Sequence, residues 1–177
     1  MAFGIDSGMA VKIERLAGMT DEVIAGLSEL LVATVNAGGS VSFMAGLTES
    51  DAKEWWRKTF PLPARGAALL ARDSAGIVGV VLLQPSWAPN QKHRADVAKL
   101  MVHPRARGQG VARALMSELE TTAKREEFTL LLLDTVKGEA AERLYASMAW
   151  TRAGEVPNYA LDPFGRPCTT VFFYKQL

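Results

Sequence analysis

The sequence predicts a single α/β domain, a mixed β-sheet with helices on both faces. Apolar residues recur at spacings of three and four in several separate stretches, as on amphipathic helices. Short β-branched runs lie between them, and residues 128–134 (FTLLLLD) are apolar almost throughout, as in a strand covered on both sides. The elements follow the order β-α-α-β-β-β-α-β-α-β-β. Because consecutive strands occur without a helix between them, the sheet is mixed rather than wholly parallel.

Each element has its own local signal. Residues 10–16 alternate Val11, Ile13 and Arg15 with other side chains, a short strand. Thr20-Asp21-Glu22 then opens a helix whose apolar positions run from Val23 to Val35, with Gly38-Gly39 as its stop. After the loop SVSFMAGL, Thr48 to Asp51 opens a second helix that carries Trp55 and Trp56 and must end before Pro61. Residues 67–72 and 77–84 form a hairpin about Asp73-Ser74-Ala75-Gly76. A fourth strand covers 95–102. From Val111 the stripe Ala112, Leu115, Met116, Leu119, Ala123 marks a third helix. The strand at 128–134 and a helix at 139–148 follow. Asp162 to Gly165 is the turn of a closing hairpin whose last strand is 169–174.

At 177 residues the chain suits one domain, with residues 1–9 as a flexible leader that lacks the basic and apolar regions of a secretion signal. A net charge of +1 gives no general field to draw the molecule to nucleic acid or to an anionic membrane, so any anion site must be local. The longest apolar runs fall well short of the roughly 18 residues a membrane span needs. Cys168 is the one cysteine, which leaves neither an internal disulfide nor a zinc cluster and favours a reducing, cytoplasmic setting.

The segment MVHPRARGQGVARALM, residues 101–116, sets arginines and glycines at the entry of the third helix. The first amides of a helix have no intrahelical partner and lie at the positive end of its dipole, so they form a seat for an anion. Gly108 and Gly110 let a phosphate or pyrophosphate approach, while Arg105 and Arg107 add charge. A Walker A loop fails here, because Gly110 is followed by Val111-Ala112 instead of Lys and Ser or Thr. A G-x-G-x-x-G dinucleotide fingerprint meets Arg113 at its third glycine.

With a strand before it and an amphipathic helix after it, VHPRARGQGVARAL resembles motif A of the GNAT superfamily of N-acetyltransferases. Arg107, Gly110 and Ala112 hold the motif positions. The alternative register on Arg105, Gly108 and Gly110 fits the flanks less well. GEAAERLYASMAW, residues 138–150, is similar to a later family motif through Leu144-Tyr145. Gly138 stands there where Asn is common, and Ala149-Trp150 where Gly-Phe is common. Further stretches from about residue 31 onward are similar to a branch of the family that inactivates an amino-acid-like toxin.

The resemblance implies the GNAT (acyl-CoA N-acyltransferase) fold: a mixed, mostly antiparallel sheet of about six to seven strands with four helices, splayed between the fourth and fifth strands. It implies acetyl-CoA as co-substrate, held by Met101, Val102, Arg107, Gly108, Gln109, Gly110, Val111, Ala112 and Gly138. A backbone amide near Met101 would polarise the thioester carbonyl in a direct transfer that does not use Cys168 as nucleophile. Tyr145 matches the family's proton donor to the departing thiolate, and Asp134 is a general base or an anchor for the acceptor. Phe43 and Met44 are expected at the acceptor, and Trp55 and Trp56 either there or in the core. His93 and His103 are set aside as exposed.

The expected activity is N-acetylation of a small molecule, at an amine or hydroxyl, possibilities including an amino-acid-like toxin or antibiotic. A polyamine or protein acceptor stays open, as does a CoA-binding module without catalysis. No nucleic-acid or membrane partner is expected, and edge strands leave room for a homodimer.

Overall fold

A computed structural model describes residues 11–177; the leader expected at 1–9 lies outside the described residues. The described chain forms a seven-stranded sheet in the order β1-β2-β3-β4-β5-β7-β6. Its strands are β1 Lys12–Arg15, β2 Ala67–Asp73, β3 Gly76–Pro85, β4 Arg94–Val102, β5 Leu130–Val136, β6 Thr151–Leu161 and β7 Pro167–Gln176. The helices are α1 Asp21–Asn36, α2 Glu49–Thr59, α3 Val111–Arg125 and α4 Ala140–Ser147. Only β4 and β5 pair in parallel; the other neighbours are antiparallel. The mixed, mostly antiparallel sheet and the element order are those the sequence predicts.

The helix boundaries follow their caps. Thr20 accepts from the Val23 amide to start α1, and α1 ends where Gly38, at φ +84, turns the chain left-handed. Gly39 is required as well, because a Cβ there would lie 2.7 Å from Thr34 Cγ2. Thr48 and Asp51 form a capping box at the start of α2.

Two apolar layers hold the sheet. Leu27, Leu30 and Leu31 of α1 and Trp56 of α2 pack with Leu70, Val80, Leu82 and Met101 on one face. Leu115, Met116 and Leu119 of α3, with Tyr145 of α4 and Trp150, pack with Leu69, Val81, Leu131 and Phe173 on the other. The two tryptophans of α2 differ in burial. Trp56 is fully buried with its indole N–H donating to Leu27 O at 3.1 Å, whereas Trp55 is half-buried beside Phe43. Truncating a tryptophan as buried as Trp56 costs about 3–5 kcal/mol. No described helix is long and apolar enough to cross a membrane.

Candidate active site

The site begins with two departures from regular pairing in β4. Val80 lies opposite Met101 and Leu82 opposite Ala98, so Lys99 and Leu100 together face Val81, a β-bulge. Lys99 takes a left-handed backbone at φ +54, a position that costs a non-glycine residue of order 1–3 kcal/mol. Ala95 and Val97 face the α3 layer before the bulge, as do Leu100 and Val102 after it, and Met101 faces the α1 layer.

The second departure is a splay. β4 and β5 pair at Arg94–Leu130, Ala95–Leu131 and Asp96–Leu132, and the ladder stops there although both strands continue. The rest of β4 therefore lacks a neighbour on its β5 side. His103 N–H donates to Val78 O at 2.9 Å, so antiparallel alternation turns the Met101 amide towards β3 and the Val102 amide into the splay. The Val102 carbonyl turns the same way and accepts from Arg107 Nε at 3.2 Å. Of the amides near Met101, those of Val102 and Leu100 therefore face the splay, while that of Met101 faces β3.

The arginine–glycine segment follows as a 3₁₀ turn, Pro104–Ala106, and then the entry of α3. Gly110 is the N-cap, at φ +79, and no side chain caps the amides behind it. Gly108 is also left-handed, at φ +74, and a Cβ built on either glycine would meet nothing within 4 Å. Uncapped amides, open space and the helix dipole together fit an anion such as the diphosphate of coenzyme A. Arg105, however, is committed elsewhere, because Asp73 of the β2–β3 turn binds its guanidinium. That pair holds the Asp73 carboxyl below its usual range, with the Arg105 hydrogen bond as the main cause. Arg107 carries no carboxylate partner among the described residues.

A cavity of ≈ 530 Å³ runs from this helix entry between the end of β4, α4 and the end of α1. Of the nine residues expected to hold the cofactor, seven line it, while Gln109 and Gly138 do not. Gln109 donates back to Arg105 O at 3.1 Å, and Gly138 turns the chain into α4 at φ +86. Residues not foreseen also line the cavity, among them Leu100 and, from the β6–β7 turn, Asp162 and Arg166. This turn meets the loop after α1, where Ala45 N–H donates to Pro163 O at 2.8 Å, and both segments contribute residues to the cavity.

Asp134 and Tyr145 approach the splay from opposite layers. Leu131 and Leu133 of β5 face α3 and α4, so alternation puts Asp134 on the α1 side. Solvent reaches Asp134, yet enough protein surrounds it that desolvation raises its pKa; Asp96 adds to the rise and Lys99 opposes it. Tyr145 is buried with its ring 6.0 Å from Trp150 and 5.9 Å from Phe173. Burial, then the Asp134 charge, push the Tyr145 pKa well above the ordinary phenol value, so it is protonated at neutral pH. Phe43 packs edge-on against Trp55 at 5.4 Å, and Met44 is half-exposed. Neither they nor Asp134 and Tyr145 line this cavity.

A family model for the acetyltransferase (GNAT) family matches residues 40–150, more than half of the chain. The chain belongs to the GNAT acetyltransferase family. Acetyl-CoA is the acetyl donor of GNAT enzymes. The GNAT fold is shared with a GCN5-related N-acetyltransferase from Kribbella flavida, with a TM-score of 0.78, 23% identity, and 94% of this chain and 98% of that one covered. The ribosomal-protein-alanine N-acetyltransferase of Brucella melitensis gives a TM-score of 0.77 at 20% identity, covering 94% and 99%. The yncA protein of Salmonella typhimurium, a proposed acetyltransferase solved with its cofactor acetyl-CoA, gives 0.75 at 19%, covering 94% of each chain. At these identities the likeness establishes the GNAT fold and leaves the acceptor undefined.

Proposed function

We propose that this GNAT protein transfers the acetyl group of acetyl-CoA to the amine of a small molecule, both substrates bound together. The observation that carries this reading is the splay of β4 from β5, with an uncapped helix entry at one end and Asp134 and Tyr145 reaching it from opposite layers. Acetyl-CoA supplies an acetyl group activated as a thioester. The chain's part is to seat it and to manage two protons.

The amides at the entry of α3, with Arg107, hold the diphosphate, and the strand edge at Leu100 and Val102 receives the pantetheine arm. An amide of that edge faces the charge that develops on the carbonyl oxygen. Asp134, its pKa raised, takes a proton from the acceptor ammonium directly or through a water, or anchors that ammonium. The Tyr145 phenol, protonated at working pH, donates to the departing thiolate.

A small acceptor is favoured over a protein amino group because the Ala45–Pro163 hydrogen bond closes the loop after α1 over the site, where a peptide would need an open groove. The stretches GGSVSFMAGL, NQKHRADVAKLMVHPRARGQG, LLLDTVKGEAAERLY and WTRAGEVPNYALDPFGRP are similar to tabtoxin resistance protein. Asp134 matches an acidic residue of that protein. This supports an amino-acid-like toxin or antibiotic, such as tabtoxinine-β-lactam, as acceptor, and a cytoplasmic enzyme. The test is thiol release on mixing purified protein with acetyl-CoA and a panel of small amines. Turnover of small amines supports the reading, and turnover confined to peptide or protein amines sinks it.

A further inference from the structure

Lys99 is a charged side chain that the steps above leave unused. It is one residue more than its partner strand supplies: Met101 pairs with Val80 and Ala98 with Leu82, and of the two residues facing Val81, Leu100 joins Val81 in the α3 layer, which leaves Lys99 to the other side. Its ammonium lies on the α1 side of the splay, 5.5 Å from the Phe43 ring centre and 5.3 Å from that of Trp55. It donates to Val41 O at 2.7 Å and to Ser42 Oγ at 3.0 Å, two of its three donors. These acceptors are neutral. No carboxylate among the described residues forms an ion pair with Lys99, and desolvation lowers its pKa against the opposing pull of Asp134.

Asp134 is the complementary case. It stands on the same side of the splay, and its carboxylate makes no hydrogen bond or ion pair with any described residue. The remaining nearby charge, Asp96, is paired with Arg94 at 2.8 Å. Two opposite charges thus stand on one side of the splay, each within the other's field, without closing on each other. Phe43 and Trp55 hold the Lys99 end.

We propose that Lys99 and Asp134 together recognise a zwitterion: the acceptor is an amino acid or close analogue whose carboxylate binds the Lys99 ammonium while its amine lies at Asp134. This rests on the reading of Asp134 as the partner of the acceptor amine. The third donor of Lys99 and the cation-binding ring faces pre-organise a compact anion site, and a partly buried ammonium that no described carboxylate touches gains from an anionic partner. Neutral amines and polyamines offer nothing to this half of the pocket.

The experiment compares amino acids with their carboxamides and decarboxylated amines as acceptors at saturating acetyl-CoA. Wild type should favour the free acid by at least about tenfold in kcat/KM, the scale of one hydrogen bond to a charged group. Lys99→Met should raise KM for the acids about 10- to 100-fold, leave KM for the carboxamides and for acetyl-CoA unchanged, and so erase the preference. Ser42→Ala, which loosens the loop but keeps the ammonium, should preserve it; a loss as large as in Lys99→Met would reduce Lys99 to a loop latch and overturn the proposal. Equal turnover of acids and carboxamides by wild type also overturns it, while leaving small-amine acetylation standing. If no small amine in any form is turned over, the reading of the function falls and this one with it.

Discussion

Gly110→Ala separates the two uses of the α3 entry. Gly110 holds φ +79, and a left-handed backbone costs a residue with a Cβ roughly 1–2 kcal/mol. The added methyl meets nothing within 4 Å in the free protein, so no clash adds to that figure. For a chain of this size each kcal/mol shifts Tm by about 2–4 °C, and the variant should melt about 2–8 °C lower. The methyl also projects where the diphosphate must approach. One charge-assisted hydrogen bond lost there, about 1.5–3 kcal/mol, weakens acetyl-CoA by about 10- to 150-fold. At a ligand concentration 100 times the wild-type Kd, acetyl-CoA stabilises wild type by about 2.7 kcal/mol and should stabilise the variant by only about 0.3–1.4 kcal/mol. Thermal melts with and without acetyl-CoA read both effects from one sample. An undiminished shift with acetyl-CoA would refute the seat at α3, whatever happens to the melting point of the free protein.

Three further variants have expected outcomes. Tyr145→Phe keeps the ring that packs on Trp150 and Phe173, so Tm and the KM for acetyl-CoA should hold while kcat falls by about 10²–10⁴, the usual span for a proton donor; an unchanged kcat removes the acid role. Asp134 must be ionised to act as base and its pKa is raised, so kcat/KM should fall as pH drops through a value above that of an ordinary aspartate, and Asp134→Asn should abolish that limb of the profile. By the same shift the folded state holds its proton more tightly than the unfolded chain, so the stabilising contribution is full below the unfolded pKa and is lost as pH rises through the folded one. Asp134→Asn should therefore melt higher at neutral pH and show no such gain in acid. Gly79→Ala would bring a Cβ to 2.9 Å from Leu115 Cδ1 and 3.1 Å from Met101 O, and overpacking of this kind costs about 1–3 kcal/mol by chemical denaturation.

The sequence made the helices and most strands legible because their signals are local. Thr20 and Gly38 mark the ends of α1, and the Leu115 stripe marks the buried face of α3. β6 was legible only as the unnamed partner of the last strand. Its residues TRAGEVPNYAL contain Gly, Pro and Asn and are exposed nearly throughout, so pairing with β7, interrupted by two register shifts, defines it instead of its own pattern. Arg105 was grouped with Arg107 as phosphate-facing charge, but its carboxylate partner comes from a turn 32 residues earlier, a distance no local pattern reveals. Lys99 went unread for a related reason. Neither Gly nor Asn marks its left-handed backbone, and the one trace in the sequence is the broken alternation of the run Leu100-Met101-Val102.

The bulge divides labour within a single strand. Remove Lys99 and β4 would keep step with β3 rung by rung, Leu100 and Val102 still feeding one layer and Met101 the other. A chain shortened by that residue should thus fold much as before, yet lose the cation beside its acceptor. Architecture and chemistry at this spot are written in different letters, and only the spare one belongs to the substrate.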